Sequence, residues 1–174
     1  MGLFSKDKEA QNYKKEKSAY YYGTTMQQIG VIPKGEEIEI KLNPKERVLI
    51  IIDTDDNRVT LPYDRIRGFS VDYVTEEKIN QDPNLAALIL SAGLFGKVGK
   101  IAGGIMSNKK KKKIVWMGIL RYEDKAGIEK ELAFSGEEES IDADEKPWKE
   151  ESDKEFEMVV NRIANNDMND LYEL

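Results

Sequence analysis

Residues 36–61 read EEIEIKLNPKERVLIIIDTDDNRVTL, and their pattern decides what kind of fold the chain adopts. At the start of this stretch Ile38, Ile40 and Leu42 alternate with Glu37, Glu39 and Lys41, the period-two spacing of a strand with one face in a core and one in water. Asn43-Pro44-Lys45-Glu46 is turn chemistry, and residues 47–52 (RVLIII) are a continuous apolar run of strand length. Asp53-Thr54-Asp55-Asp56-Asn57 marks a second turn, from which residues 58–61 (RVTL) return. Three strands joined by two short turns predict an antiparallel meander.

The pattern extends in both directions. Residues 1–19 are polar with mixed charge, and Leu3-Phe4 is their one large apolar cluster, so an N-terminal arm or short helix is expected, with order from Tyr20-Tyr21-Tyr22 onward. Downstream, Phe69, Val71 and Tyr73 alternate in residues 68–75 (GFSVDYVT). Residues 79–113 break the rhythm. Asp82 is placed as N-cap and Pro83 as first residue of a helix through residues 85–106 (LAALILSAGLFGKVGKIAGGIM), which is followed by five consecutive lysines. Strands resume at 114–122 (IVWMGILRY) and 128–134 (IEKELAF). An acidic loop is expected over 136–151 and a helix over 152–165, where Ser152-x-x-Glu155 makes a capping box and Phe156, Val159, Val160 and Ile163 form one apolar face. Residues 20–166 thus read as one α+β, mainly β domain, followed by a tail at 167–174.

Composition closes most catalytic chemistry. Among 174 residues there is no His and no Cys, which removes disulfides, thiol nucleophiles, Ser-His and Cys-His relays and the usual zinc ligands. The remaining carboxylates, lysines and tyrosines converge on no reaction, so the expectation is a non-enzyme without catalytic, cofactor or metal residues. A net charge of −6 argues against nucleic acid as a partner. The charge is unevenly spread: residues 137–157 hold eleven acids against three lysines, whereas Lys109 to Lys113 are all basic. The two blocks either neutralise one another in the fold or meet different partners. Residues 1–10 contain no apolar signal region, and Lys6 breaks the myristoylation pattern, so a cytoplasmic location is expected, with the inner face of the membrane as a peripheral option.

The order of these pieces resembles the bacterial pleckstrin-homology-like (PH-like) domains that carry a glycine-rich helical insertion. The residues that carry the resemblance are 38–42, 47–52, 59–71 (VTLPYDRIRGFSV), the insertion ending GKVGKIAGGIM, IVWMGILRY and 128–134, within residues 20–164. The resemblance implies a strongly bent antiparallel sheet or barrel of about seven strands, capped by the C-terminal helix and serving as a binding or scaffolding module.

Within the insertion, Leu85, Leu88, Ile89, Leu94 and Phe95 are the apolar candidates for contact with a partner. Gly93, Gly96, Gly99 and Gly103 lie at spacings that let helices approach closely. Helical glycines each cost about 1 kcal/mol relative to Ala, so a neighbouring surface should offset them. Two partners fit. One is a protein or a second copy of the chain. The other is an anionic membrane, with the insertion lying at the interface and Lys109, Lys110, Lys111, Lys112 and Lys113 on head groups. A single membrane span does not fit, because uncharged sequence ends at Gly96 and both ends of the insertion must return to one sheet. The lysines also read as a solvated strand extension that blocks edge pairing. The run 53–64 imitates the start of a calcium loop but has Arg58 where Gly is needed, and residues 91–98 (SAGLFGKV) lack the Gly and Ser/Thr of a phosphate loop. Lys41, Lys45 and Arg47 around one turn, and Asp64 beside Arg65 and Arg67, are read as structural.

Overall fold

Alternation along the chain builds the sheet. In β2 (Glu37–Asn43) Ile38, Ile40 and Leu42 are buried while Glu37 and Lys41 are exposed. In β3 (Val48–Asp53) Leu49 and Ile51 point the same way into the core. The computed structural model describes residues 2–83 and 111–165. Its other strands are β1 (Tyr20–Thr25), β4 (Arg58–Pro62), β5 (Ile66–Thr75), β6 (Lys111–Glu123) and β7 (Glu129–Asp142). Its helices are α1 (Gly2–Ser18), α2 (Glu76–Gln81) and α3 (Glu151–Ala164). All seven strands pair antiparallel in one sheet of order β4-β3-β2-β1-β7-β6-β5.

That order forces the sheet to curl. Laid flat, β4 and β5 would stand six strand spacings apart, about 29 Å. The only chain between them is the 3₁₀ turn Tyr63–Arg65, and four peptide links reach at most about 14 Å. The two edges must therefore approach each other. α3 then covers the gap, packing on β5, β1 and the 3₁₀ turn. It buries Phe156, Val159, Val160 and Ile163, each worth about 1.5–3 kcal/mol when removed from water. Phe156 and Tyr21 both meet Phe69 edge-on, at 4.9 and 5.1 Å between ring centroids.

α3 also closes the free edge of β5. The Phe69 N–H donates to Asn161 Oδ1 (2.9 Å), Asn161 Nδ2 donates to the Phe69 carbonyl (2.8 Å), and the Val71 N–H donates to Glu157 Oε2 (2.7 Å). Two helical side chains thus take the place of an eighth strand. Unpaired edges invite association, and here the edge is occupied.

Several boundaries differ from the sequence expectations. The acidic loop expected at 136–151 is shorter, because β7 continues to Asp142. It does so opposite the lysines: Lys111 faces Asp142, Lys112 faces Ile141 and Lys113 faces Ser140, with Glu138 and Glu139 next along the strand. Opposite charges on adjoining strands favour pairing that neither run would favour alone. The capping box is not formed. Helix α3 begins at Glu151, one residue before Ser152, and its N-cap Glu150 makes no side-chain cap hydrogen bond. Acids Glu151 and Asp153 in the first turn favour the helix N-terminus instead. Residues 2–18 form a full helix, and α2 precedes the expected Asp82–Pro83 helix start.

Candidate functional site

One glycine explains where the sheet opens. Val115 faces Glu138 and Met117 faces Ser135, so Trp116 alone lies opposite both Gly136 and Glu137, a β-bulge with the extra residue in β7. A side chain at Gly136 would put its Cβ 3.2 Å from the Trp116 carbonyl oxygen and 3.3 Å from the Trp116 Cβ. The bulge bends β7 at the residue where its pairing with β1 ends. That ladder consists of Thr24 with Ser135 and Thr25 with Phe134. Below it the seam stays shut, as the Met26 N–H donates to the Ala133 carbonyl (3.2 Å) and the Gln27 side-chain amide both donates to and accepts from Ala133 (3.1 Å each). Above it β1 and β7 part.

The parting leaves a cleft of about 570 Å³, within the range of ligand sites. Tyr20, Tyr22, Gly23 and Thr24 of β1 form one wall, and Ser135, Gly136, Glu137 and Glu139 of β7 form the other. Trp116 lies beneath, and Trp148, Glu150, Ser152 and Asp153 reach in from the segment before α3 and its first turn. Three of these aromatics are unusually bare: Trp148 is 75% exposed, Tyr22 61% and Tyr20 40%. The Tyr20 and Tyr22 rings touch at 5.0 Å, and Trp116 is braced edge-on by Tyr73 at 5.6 Å.

The backbone of β1 also faces the opening. Thr25 directs its N–H to Glu36 and accepts from Gly35, both on the β2 side, whereas the Met26 N–H points to β7. Backbone groups alternate sides along a strand, so those of Tyr20 and Tyr22 point into the cleft. Neither residue is in register with β7.

The electrostatics are one-sided. Glu37, Glu137, Glu139, Glu150 and Asp153 line the cleft, and no Lys or Arg is among the described lining residues. Two nearby bases are committed elsewhere, Lys149 to Glu157 at 2.8 Å and Lys41 to Glu39 at 3.2 Å. Burial, followed by the charge of Glu150, pushes the Asp153 carboxyl above the usual carboxylate range, with Lys149 opposing. Tyr21 lies on the core side of β1. Burial raises its phenol strongly, Asp153 adds to this, and the Gly118 amide opposes it.

A second polar cluster is structural in character. Glu16 of α1 is buried, and burial raises its carboxyl against the pull of the Tyr63 hydroxyl, Arg47 and Arg162. The buried Tyr63 hydroxyl approaches Glu16 without closing a hydrogen bond of good geometry. Arg47 stacks over the Tyr63 ring at 5.6 Å, and Arg162 of α3 donates to Asn12 of α1 at 3.1 Å. The cluster ties α1 to the 3₁₀ turn and α3.

Of the interaction residues expected from sequence, Leu85, Leu88, Ile89, Gly93, Leu94, Phe95, Gly96, Gly99, Gly103, Lys109 and Lys110 lie outside the described residues. Lys111, Lys112 and Lys113 open β6 beside the acids of β7. The 53–57 run is a β3–β4 hairpin, in which the Asp53 carboxylate accepts from the Asp55 and Asn57 N–H groups and from Asn57 Nδ2 (3.0, 2.8 and 2.8 Å). Arg67 pairs with Glu123 and donates to the backbone carbonyl of Asp64, not to its carboxylate. Among the described residues no helix is long and apolar enough to cross a membrane, and no group of three or more acids is arranged to hold a metal ion.

The sequence reading did not single out Tyr20, Tyr22, Trp116, Gly136 or Trp148. Two signals pointed to Tyr20, Tyr22 and Gly136. Three consecutive tyrosines in a strand must put two on one face, and a glycine inside a strand marks a bulge. No protein-family model, curated protein or solved structure matches the chain.

Proposed function

We propose that the chain is a non-enzymatic binding module of PH-like architecture, cytoplasmic, that holds a protein partner at the opened sheet edge between β1 and β7. The observation that carries this reading is the cleft itself, where a bulge ends a strand pairing and leaves exposed aromatics beside β1 backbone groups that are out of register with β7. The PH-like reading draws support from the strand order and from the C-terminal helix packed on the edge strand β5. Acids beside Lys111 to Lys113 favour a protein partner over an anionic membrane.

The test compares capture by the full chain from extracts of its source cells with capture by Tyr22→Ala, by Trp148→Ala and by a chain with Gln at Lys111, Lys112 and Lys113. Both aromatic positions are exposed, so the variants should fold, which circular dichroism checks. The expected result is a defined set of proteins lost from the two cleft variants and kept by the lysine variant. Equal capture by all four chains overturns the cleft as the contact surface. Sedimentation with anionic but not neutral vesicles, abolished in the lysine variant, overturns the protein-partner reading in favour of the membrane.

A further inference from the structure

Five acids around a cleft would by themselves be an ordinary solvated surface. Two other observations narrow what enters here. The N–H and C=O groups of Tyr20 and Tyr22 face the opening out of register with β7, so the free edge of β1 offers the ladder of a missing strand over residues 20–23, about 13 Å. Beside that edge stand the faces of Tyr20, Tyr22 and Trp148, held in water at the expense of apolar burial. A free strand edge binds extended backbone without regard to sequence, and the side chains around it set the preference. Bare aromatic faces next to carboxylates suit a cation, and a guanidinium best, because it stacks on rings and pairs with carboxylates at once.

We propose that the β1–β7 cleft binds an extended peptide segment carrying arginine, which adds to β1 as a short strand. Its backbone pairs with Tyr20 and Tyr22. Its arginine side chain lies against Tyr22 and Trp148 and meets Glu137, Glu139 or Glu150. The inference rests on the module reading above and names its partner's chemistry. A phosphorylated or acidic segment is disfavoured at the same site, because each added negative charge meets Glu37, Glu137 and Glu139 with no Lys or Arg among the described lining residues.

The test uses the full chain and three fluorescent hexapeptides: alternating valine and arginine, the same with glutamate for arginine, and the arginine peptide with alternate backbone nitrogens methylated. Fluorescence anisotropy should show saturable binding of the first. The glutamate and N-methylated peptides should bind at least about tenfold more weakly, a change of about 1.4 kcal/mol. Trp148→Ala and Glu137→Gln should each weaken the arginine peptide by about three- to tenfold and flatten its dependence on salt. Absence of saturable binding below about 1 mM overturns the proposal. So does equal binding of the arginine and glutamate peptides, equal binding of the methylated peptide, or indifference to both substitutions. If the peptide fails while capture still depends on Tyr22 and Trp148, the occupant is wrong and the module stands. If both fail, the cleft is not a contact surface.

Discussion

Replacing Asn161 with alanine is the sharpest test of how the curled sheet is closed. Asn161 sits on α3 and makes two hydrogen bonds to one residue of the edge strand, accepting from the Phe69 N–H at 2.9 Å and donating to the Phe69 carbonyl at 2.8 Å. If water replaced both partners freely, the loss would be about 1 kcal/mol per bond. Phe69 is 1% exposed, however, so its backbone groups are poorly placed to recruit water. Leaving both unsatisfied raises the expected cost to about 2–4 kcal/mol. For a chain of this size that lowers Tm by about 5–15 °C. Asn161→Asp should lose a comparable amount, because it keeps the acceptor for the Phe69 N–H but sets a carboxylate oxygen against the Phe69 carbonyl. Urea unfolding gives the number, with an unchanged m-value showing that the unfolded ensemble is the same. Amide exchange at Phe69 should accelerate together with the loss. A destabilisation under about 0.5 kcal/mol, the level of an ordinary surface substitution, would refute the view that α3 stands in for a strand.

Three further outcomes follow from the packing and the charges. Gly118→Ala should destabilise by about 1–3 kcal/mol, since the new Cβ would lie 2.7 Å from the Tyr21 hydroxyl and 3.0 Å from the Phe69 ring; thermal melts check this, and a neutral result removes the claim of close packing there. Glu16 is held above its ordinary carboxyl value by burial, so its contribution is fully present below the unfolded value of 4.5 and is lost as pH rises through the higher folded value. Glu16→Gln should therefore gain stability relative to the native chain between acid and neutral pH, and parallel pH–Tm curves for the two proteins would contradict the assignment. Asp53 runs the other way. Burial raises its carboxyl, but the bonds from Asn57 and Asp55 outweigh this and hold it low, so its contribution is present above the unfolded value of 3.8 and is lost as pH falls through the folded value. Asp53→Ala should lower Tm at neutral pH and blunt the loss of stability in acid, and an unchanged acid limb would count against the turn's role.

Much of the fold was legible because period-two alternation is strong where one face of a strand is buried. Ile38, Ile40 and Leu42 announced β2, and Phe156, Val159, Val160 and Ile163 announced the buried face of α3. What escaped was set by partners distant in sequence. Residues 137–142 (EEESID) have no apolar rhythm and became strand only because β6 lies beside them. Ser152 and Glu155 matched a capping pattern, but Glu150 is the N-cap. The cleft was harder still. Tyr20 and Trp148 are far apart in the chain and neither is unusual alone; it is the bulge at Gly136 that lets them share one opening. The buried Glu16 reads as one more charge in a polar segment until α1 is placed over Tyr63 and Arg47.

The two-pair ladder between β1 and β7 has a consequence for how the molecule folds and breathes. On one side of it β1 to β4 pair in sequence order, and on the other β6 and β7 form a hairpin to which β5 pairs across residues 76–110. Among the described residues a two-pair ladder at Thr24 and Thr25, extended by the Met26 and Gln27 bonds to Ala133, joins the halves across more than a hundred residues of chain. The β1–β4 meander and the β6–β7 hairpin can thus form early from local contacts, while the join of β1 to β7 spans a much longer loop. The finished sheet behaves as two cooperative blocks meeting at a short suture, with α3 laid across it on β5 and β1 as a splint. Sub-global opening should part the molecule along that line before either block melts. The same line runs into the cleft, so a segment bridging β1 and β7 there would lengthen the suture and raise the stability of both halves at once.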